Sequence, residues 1–267
     1  MIDYYPKRIV CLTEETCEML YVLGEEDRIA GISVYTVRPK RARKEKPKVS
    51  AFISAKIDKI LQLKPDLVLG FSDLQADIAA DLIKKGIEVH IFNQRSVKEI
   101  LGMVLTLGAM VGSLEKAQNW VAQIETKIAK IKEQVAQRKS KPKVYFEEWN
   151  DPIITGITWV SELIEIAGGE ECFPECAGQS LAKNRIVADP LEVVKRNPDI
   201  ILASWCGRKF RPQELYARPE WNRISAVKNK QVFEIDSADI LQPGPAALTD
   251  GLDQIKAIID TWYLNQK

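Results

Sequence analysis

Residues 113–139 read SLEKAQNWVAQIETKIAKIKEQVAQRK, and this stretch decides the fold. Leu114, Ala117, Trp120, Val121, Ile124, Ile128, Ile131 and Val135 recur at steps of one, three and four, the spacing of one apolar stripe on an α-helix. No Gly or Pro interrupts it. Ser113 stands where a helix is capped, and Arg138, Lys139 and Lys141 gather where the helix dipole is negative. At about 1.5 Å per residue the helix would run roughly 40 Å, enough to join two α/β units as a rigid connector.

Outward from this helix the same order of elements occurs twice. On the N-terminal side the pattern predicts a strand from Arg8 to Leu12, a helix from Glu14 to Leu23 stopped by Gly24, and a strand from Ile29 to Val34. A helix from Ile57 to Leu63 follows. Lys64-Pro65-Asp66 then introduces the apolar strand Leu67 to Leu69. A helix from Leu74 to Lys85, Gly86, the strand Ile87 to Phe92 and a helix opened by a Ser96/Glu99 capping box and ending near Gly112 complete this half. On the C-terminal side Lys143 to Glu147 is a strand, Trp159 to Ala167 a helix closed by Gly168-Gly169, and Leu191 to Arg196 a helix. Asn197-Pro198-Asp199 introduces the strand Ile200 to Ala203, and Gln231 to Ile235 is the next strand. The first strand and the Pro-Asp pair lie 57 residues apart in one half (Arg8 to Pro65) and 55 in the other (Lys143 to Pro198). The fold class expected is therefore α/β, with two Rossmann-like lobes on mainly parallel sheets joined by one long α-helix. The divisions expected are residues 1–112, the connecting helix 113–139, and 140–267. A single large α/β domain is the alternative, since Pro-Asp before a strand is also ordinary turn chemistry.

A chain of 267 residues with 46% hydrophobic content can bury a substantial core. Its 38 basic and 37 acidic side chains leave no field to attract nucleic acid. The basic run Arg38 to Lys48 reads as a solvated loop, and a monomer is expected. No run of some twenty apolar residues occurs, and Met1 to Arg8 lacks the apolar core of a secretory signal. As it stands the sequence is expected to be cytoplasmic, or periplasmic if a signal peptide has been removed. Five cysteines form no regular framework, and the C-x3-C pair Cys172 and Cys176 leaves disulfide and metal readings open.

In parallel α/β sheets ligands bind beyond the carboxyl ends of strands, which places the expected site in a cleft between lobes. The residues at those ends are Thr13 to Glu15, Tyr35 to Arg38, Phe52 and Phe71 to Asp73 in the first half. In the second they are Glu147 to Trp149, the loop Asp151 to Trp159, and Ser204 to Phe210. Trp149, Trp159 and Trp205 offer flat apolar faces suited to a large planar ligand, with loop packing as the alternative for each, whereas Trp120 belongs to the helix stripe. Catalytic signatures are scarce. The one histidine, His90, is centred in an apolar strand; there is no G-x-S-x-G elbow, P-loop or G-x-G-x-x-G; and a three-histidine metal site is arithmetically impossible. Glu147 and Glu148 are adjacent on a strand and point to opposite faces, which disfavours them as an acid-base pair.

Six segments then combine: Arg8-Ile9-Val10 through Leu23-Gly24, Lys64-Pro65-Asp66-Leu67-Val68, Gly168-Gly169, Arg218-Pro219-Glu220-Trp221, Ala226-Val227-Lys228-Asn229 and Gln242-Pro243-Gly244-Pro245. In this order and spacing the chain resembles the class III periplasmic binding proteins, the ABC-transporter receptors for vitamin B12 and ferric siderophores, and most closely their cobalamin-binding group. The resemblance implies two α/β lobes on one backbone helix with ligand between them. It places Tyr35 and Phe52 against a corrinoid from the first lobe, faced by Trp149, Trp159 and Trp205 from the second. Arg185 and Arg208 would hold the ligand's edges. Phe71, Cys206 and Phe210 at the strand ends complete the expected ligand-binding set. The ligand expected is cobalamin or a related corrinoid, bound without catalysis, with its metal already chelated. The alternatives are haem or a ferric siderophore, or a chelatase-like enzyme of tetrapyrrole metabolism using Glu14, Glu147 or Asp151. Receptors of this kind dock to transporter membrane subunits through one acidic residue on each lobe; Asp58 fits this on the first, while Ala226 to Lys230 on the second has only Glu220 nearby.

Overall fold

The computed structural model describes residues 4–179 and 181–266, so Met1, Ile2, Asp3, Ser180 and Lys267 lie outside the account that follows. The chain folds as two compact units. The first takes residues up to Gln94 together with Lys98–Gln123, and the second takes Arg95–Val97 and everything from Ile124 onward. The helix expected over 113–139 is present as Leu114–Ala136. Its residues divide between the units at Gln123 and Ile124.

The first unit is a five-stranded sheet of β1 (Ile9–Cys11), β2 (Ile29–Ser33), β3 (Lys48–Ser50), β4 (Leu67–Phe71) and β5 (Val89–Phe92) in the order β3-β2-β1-β4-β5. All neighbours are parallel. Successive side chains leave opposite faces, and two separate cores result. Ile9, Cys11, Leu67 and Leu69 pack with Leu20 of helix Glu14–Leu23, Leu107 of helix Val97–Met110, and Ala117 and Val121 of the long helix. Val10, Leu12 and Val68 pack on the other face with Ile60, Ile78 and Leu82. Burial on both faces explains why these strands are apolar throughout.

The second unit is built on β6 (Lys143–Asn150), β9 (Ile200–Ala203) and β10 (Val232–Glu234), parallel in the order β10-β9-β6. On its other edge β6 pairs in parallel with the short β8 (Glu170–Glu171) near its start and antiparallel with β7 (Ile153–Thr155) near its end. The hairpin turns at Asp151-Pro152, a cis peptide. The strand expected to stop at Glu147 thus carries on through Trp149 to Asn150, and part of the expected loop Asp151 to Trp159 is β7. Glu148, Trp149 and Asn150 are half-buried, and the polar Glu148 and Asn150 break the apolar run that marks a strand in sequence.

The repeat has a physical cause. Asp66 accepts the backbone N–H groups of Lys7 and Arg8 through its carboxylate (2.7 and 2.9 Å) and donates its own N–H to the Arg8 carbonyl (3.1 Å). Asp199 does the same for β6, accepting from Lys143 N–H (2.9 Å) and donating to its carbonyl (2.8 Å). The residues before the two prolines, Lys64 and Asn197, share a left-handed backbone at φ 48° and 50°. Each Pro-Asp therefore aligns the start of two neighbouring parallel strands. The helix stops also match: Gly24 and Gly168 have φ of 74° and 92°.

A helix absent from the sequence-based expectation, Leu252–Leu264, closes the second unit. Leu252, Ile255 and Ile259 are its buried face, and it packs on helix Thr158–Ile166. Asp253 pairs with Lys127 (2.8 Å), and Asp260 pairs with Arg138, tying the later part of the long helix to it.

Candidate functional site

In the first unit the carboxyl edge of the sheet presents Tyr35, 60% exposed, after β2 and Ile53, 71% exposed, after β3, with Phe52 half-buried beside it. The buried Gln75 carboxamide fixes this edge. It accepts the Phe71 N–H (2.9 Å) and donates to the Phe52 carbonyl (2.8 Å), joining the end of β4 to the loop after β3. Phe71 itself is buried. Behind the edge, Glu14 accepts the Val37 N–H (2.8 Å) and Glu15 accepts the Thr13 hydroxyl (2.6 Å). Burial pushes Glu14 up to about 8 and Glu15 up to about 7.

In the second unit a cavity of about 490 Å³ opens at the carboxyl ends of β9 and β10. Trp205, immediately past β9, forms one wall, and Arg208 and Lys209 stand beside it. Glu234, Asp236 and Ser237, at and beyond the end of β10, supply the opposite polar groups. The guanidinium of Arg208 lies 5.2 Å from the Trp205 ring and bonds Glu214 (2.5 Å), which in turn accepts from the Asn150 carboxamide (3.0 Å). Glu234 accepts the Phe210 N–H (3.0 Å), and Asp236 caps the following short helix at Ala238 N–H (2.9 Å).

Beneath the cavity lies a charged cluster. Glu147 is fully buried and accepts four bonds: from the Tyr145 hydroxyl (3.0 Å), Trp205 Nε1 (3.0 Å) and both terminal nitrogens of Arg218 (2.5 and 2.9 Å). Arg218 also reaches the Asn150 carbonyl (3.2 Å) and covers the Trp221 ring at 4.4 Å. Glu148 points the other way, as the strand alternation requires, and pairs with Arg185 (2.6 Å).

These contacts redistribute the sequence-predicted set. Tyr35, Phe52, Trp149, Cys206 and Arg208 lie at carboxyl edges with exposed or half-exposed side chains. Trp149 is half-buried on β6, its indole N–H bonded to the Asp151 carbonyl (2.8 Å). Trp159, Trp205 and Phe210, expected to face a ligand, are buried, and Trp205 also lines the cavity. Trp159 donates to the Ile240 carbonyl (2.9 Å), and Trp205 stacks edge-on against Phe210 at 5.0 Å, so that it meets the cavity only as part of a packed wall. Arg185, expected at a ligand's edge, is 2% exposed and spent on Glu148 and the Thr155 carbonyl. Asp58 and Glu220 are exposed. Cys172 and Cys176 are free thiols. His90 is half-buried on β5, edge-on to Phe92 at 4.3 Å, and burial lowers its pKa. Among the described residues no group of three or more His, Cys, Asp or Glu is placed to hold a metal ion. Glu234, Asp236 and Gln75 were not singled out by sequence reasoning. The one available signal was the position of the first two at the end of the strand Gln231 to Ile235.

Residues 9–238 match the family described as periplasmic binding protein. An uncharacterized ABC transporter substrate-binding lipoprotein, YvrC of Bacillus subtilis, is 28% identical over 260 residues, 94% of this chain and 79% of the relative. A vitamin B12-binding protein of Vibrio campbellii is 26% identical over 241 residues, 89% of this chain and 84% of its own. Among solved structures, the vitamin B12-binding protein BtuF of Vibrio cholerae superposes with a TM-score of 0.77 at 22% identity, covering 96% of this chain and 98% of that one. The haem-binding protein RhuT of Roseiflexus superposes at 0.79 with 21% identity, covering 95% and 99%. These likenesses give no support to a cytoplasmic chain. No helix among the described residues is long and apolar enough to cross a membrane.

Proposed function

Because the chain belongs to the periplasmic binding protein family, we propose that it is a non-enzymatic receptor for a large metal chelate, first of all cobalamin or a related corrinoid. The observation that carries this reading is the cavity at the carboxyl ends of β9 and β10, where an indole wall meets both hydrogen-bond donors and acceptors. An amphipathic chelate needs that combination, an apolar body against aromatic surface and a polar rim against paired polar groups. Tyr35 and Phe52 of the first unit and Trp149, Cys206 and Arg208 of the second are the contacts proposed, since each is at a carboxyl edge and accessible. The relatives named for vitamin B12 support the corrinoid.

The lipoprotein relative named for an ABC transporter supports a second partner, a pair of transporter membrane subunits, and a place outside the cytoplasm. The exposed Asp58 and Glu220 are the acidic residues we assign to that docking. The ligand assignment is tested by titrating the protein with cobalamin, haemin and ferric hydroxamate and catecholate siderophores, following tryptophan fluorescence and the ligand's visible spectrum. Saturable quenching by cobalamin is expected. Saturation by haemin or a siderophore with no response to any corrinoid would replace the reading with one of those ligands.

A further inference from the structure

The cavity in the second unit also bears on which corrinoids are accepted, an inference that rests on the corrinoid reading. At about 490 Å³ it is too small for a whole corrinoid and fits one edge of the ring with its side chains. Its lining carries two cations, Arg208 and Lys209, and two carboxylates, Glu234 and Asp236, and Arg208 shares the Glu214 carboxylate with Arg211. Arg208 is committed to Glu214 at 2.5 Å, which leaves Lys209, without an ion-pair partner among the described residues, against the two carboxylates of Glu234 and Asp236. Glu234 and Asp236 are exposed, and each uses an oxygen on a backbone N–H, at Phe210 and at Ala238, which holds the carboxylate in place. Each retains further acceptor capacity that only a donor can satisfy.

We infer that Glu234 and Asp236 select a ligand edge bearing primary amides and reject the same edge bearing carboxylates. A primary amide offers two N–H donors to these carboxylates and a carbonyl to Lys209 and Ser237. A carboxylate offers acceptors only and meets like charge on Glu234 and Asp236. The cavity thus favours the acetamide and propionamide rim of a complete corrinoid over rims in which an amide has been hydrolysed. It also disfavours the propionates of haem.

The test compares cobalamin with its b-, d- and e-monocarboxylic acid derivatives, in each of which one propionamide has become a carboxylate. Affinities are measured at neutral pH and at two salt concentrations. The wild-type protein is expected to bind at least one of the acids about tenfold more weakly than cobalamin, with a gap that narrows as salt rises. The Glu234→Gln/Asp236→Asn double variant keeps acceptors for Phe210 and Ala238 and is expected to close most of that gap. Lys209→Ala is expected to widen it. Unchanged thermal unfolding shows that the variants remain folded. Tight cobalamin binding with equal affinity for all three acids, or a gap untouched by the double variant, overturns the inference alone. Failure of cobalamin itself to bind overturns the corrinoid reading and this inference with it.

Discussion

Arg218→Met removes the one cation that, among the described residues, pairs with the fully buried carboxylate of Glu147, and the structure fixes what is lost. Two charge-assisted bonds to the carboxylate, at 2.5 and 2.9 Å, and the bond to the Asn150 carbonyl (3.2 Å) disappear, while two neutral donors to Glu147, the Tyr145 hydroxyl and the Trp205 indole, remain. A buried carboxylate left without its cation costs about 3–5 kcal/mol, a large share of the roughly 5–15 kcal/mol that stabilises a domain. Methionine keeps part of the contact with the Trp221 ring, so the packing loss is the smaller component. Urea unfolding followed by tryptophan fluorescence reads the second unit, which holds Trp149, Trp159, Trp205, Trp221 and Trp262, five of the six tryptophans. With a slope of about 2 kcal/mol/M the midpoint should fall by about 2 M. The Glu147→Gln/Arg218→Met double variant, which buries no unpaired charge, should recover at least half of the loss. A loss under about 1 kcal/mol for the single variant, or a double variant no better than the single, would show that the ion pair does not hold this unit together.

Other consequences can be measured in the same way. Burial pushes Glu171 up to about 7, so the folded state keeps a proton that the unfolded chain has already released. Its stability contribution is therefore full below the ordinary glutamate range and is lost as pH rises towards 7; Glu14 and Glu15 act in the same direction in the first unit. Glu171→Gln should flatten the decline in melting temperature of the second unit between about pH 5 and 8, and an unchanged slope would argue against it. Gly168→Ala should cost about 1–3 kcal/mol, because a Cβ there sits 2.9 Å from Val135 on a backbone at φ +92°; an unchanged melting temperature would show that the helix end gives way. Trp149→Ala should weaken cobalamin binding by about 1–3 kcal/mol with little change in melting temperature, whereas Trp205→Ala should cost about 3–5 kcal/mol of stability, so that its binding loss accompanies unfolding. Titration and thermal scans of both proteins separate the two roles.

The fold was legible because each of its signals is local. Lys64-Pro65-Asp66 and Asn197-Pro198-Asp199 carry in three residues the left-handed turn and the carboxylate that align a pair of strands. Gly24 and Gly168 mark helix ends by the backbone they permit. The site was less legible because its decisive contacts are distant in sequence. Nothing near Glu147 announces Arg218, 71 residues away, and nothing near Glu148 announces Arg185, 37 away. A strand-end position locates Trp205 and Phe210 along the chain but does not tell how far their rings are buried, and the two pack edge-on against each other. Glu234 and Asp236 carry no comparable signal, because the apolar residues that mark a strand say nothing of the acids that close it.

The most direct measurement is equilibrium dialysis of the purified protein against cobalamin at neutral pH, with bound ligand counted from its visible absorbance. The account predicts saturation at one cobalamin per chain. Retention no greater than that of a non-binding control protein, at concentrations where haemin or a ferric siderophore saturates the chain, would contradict it.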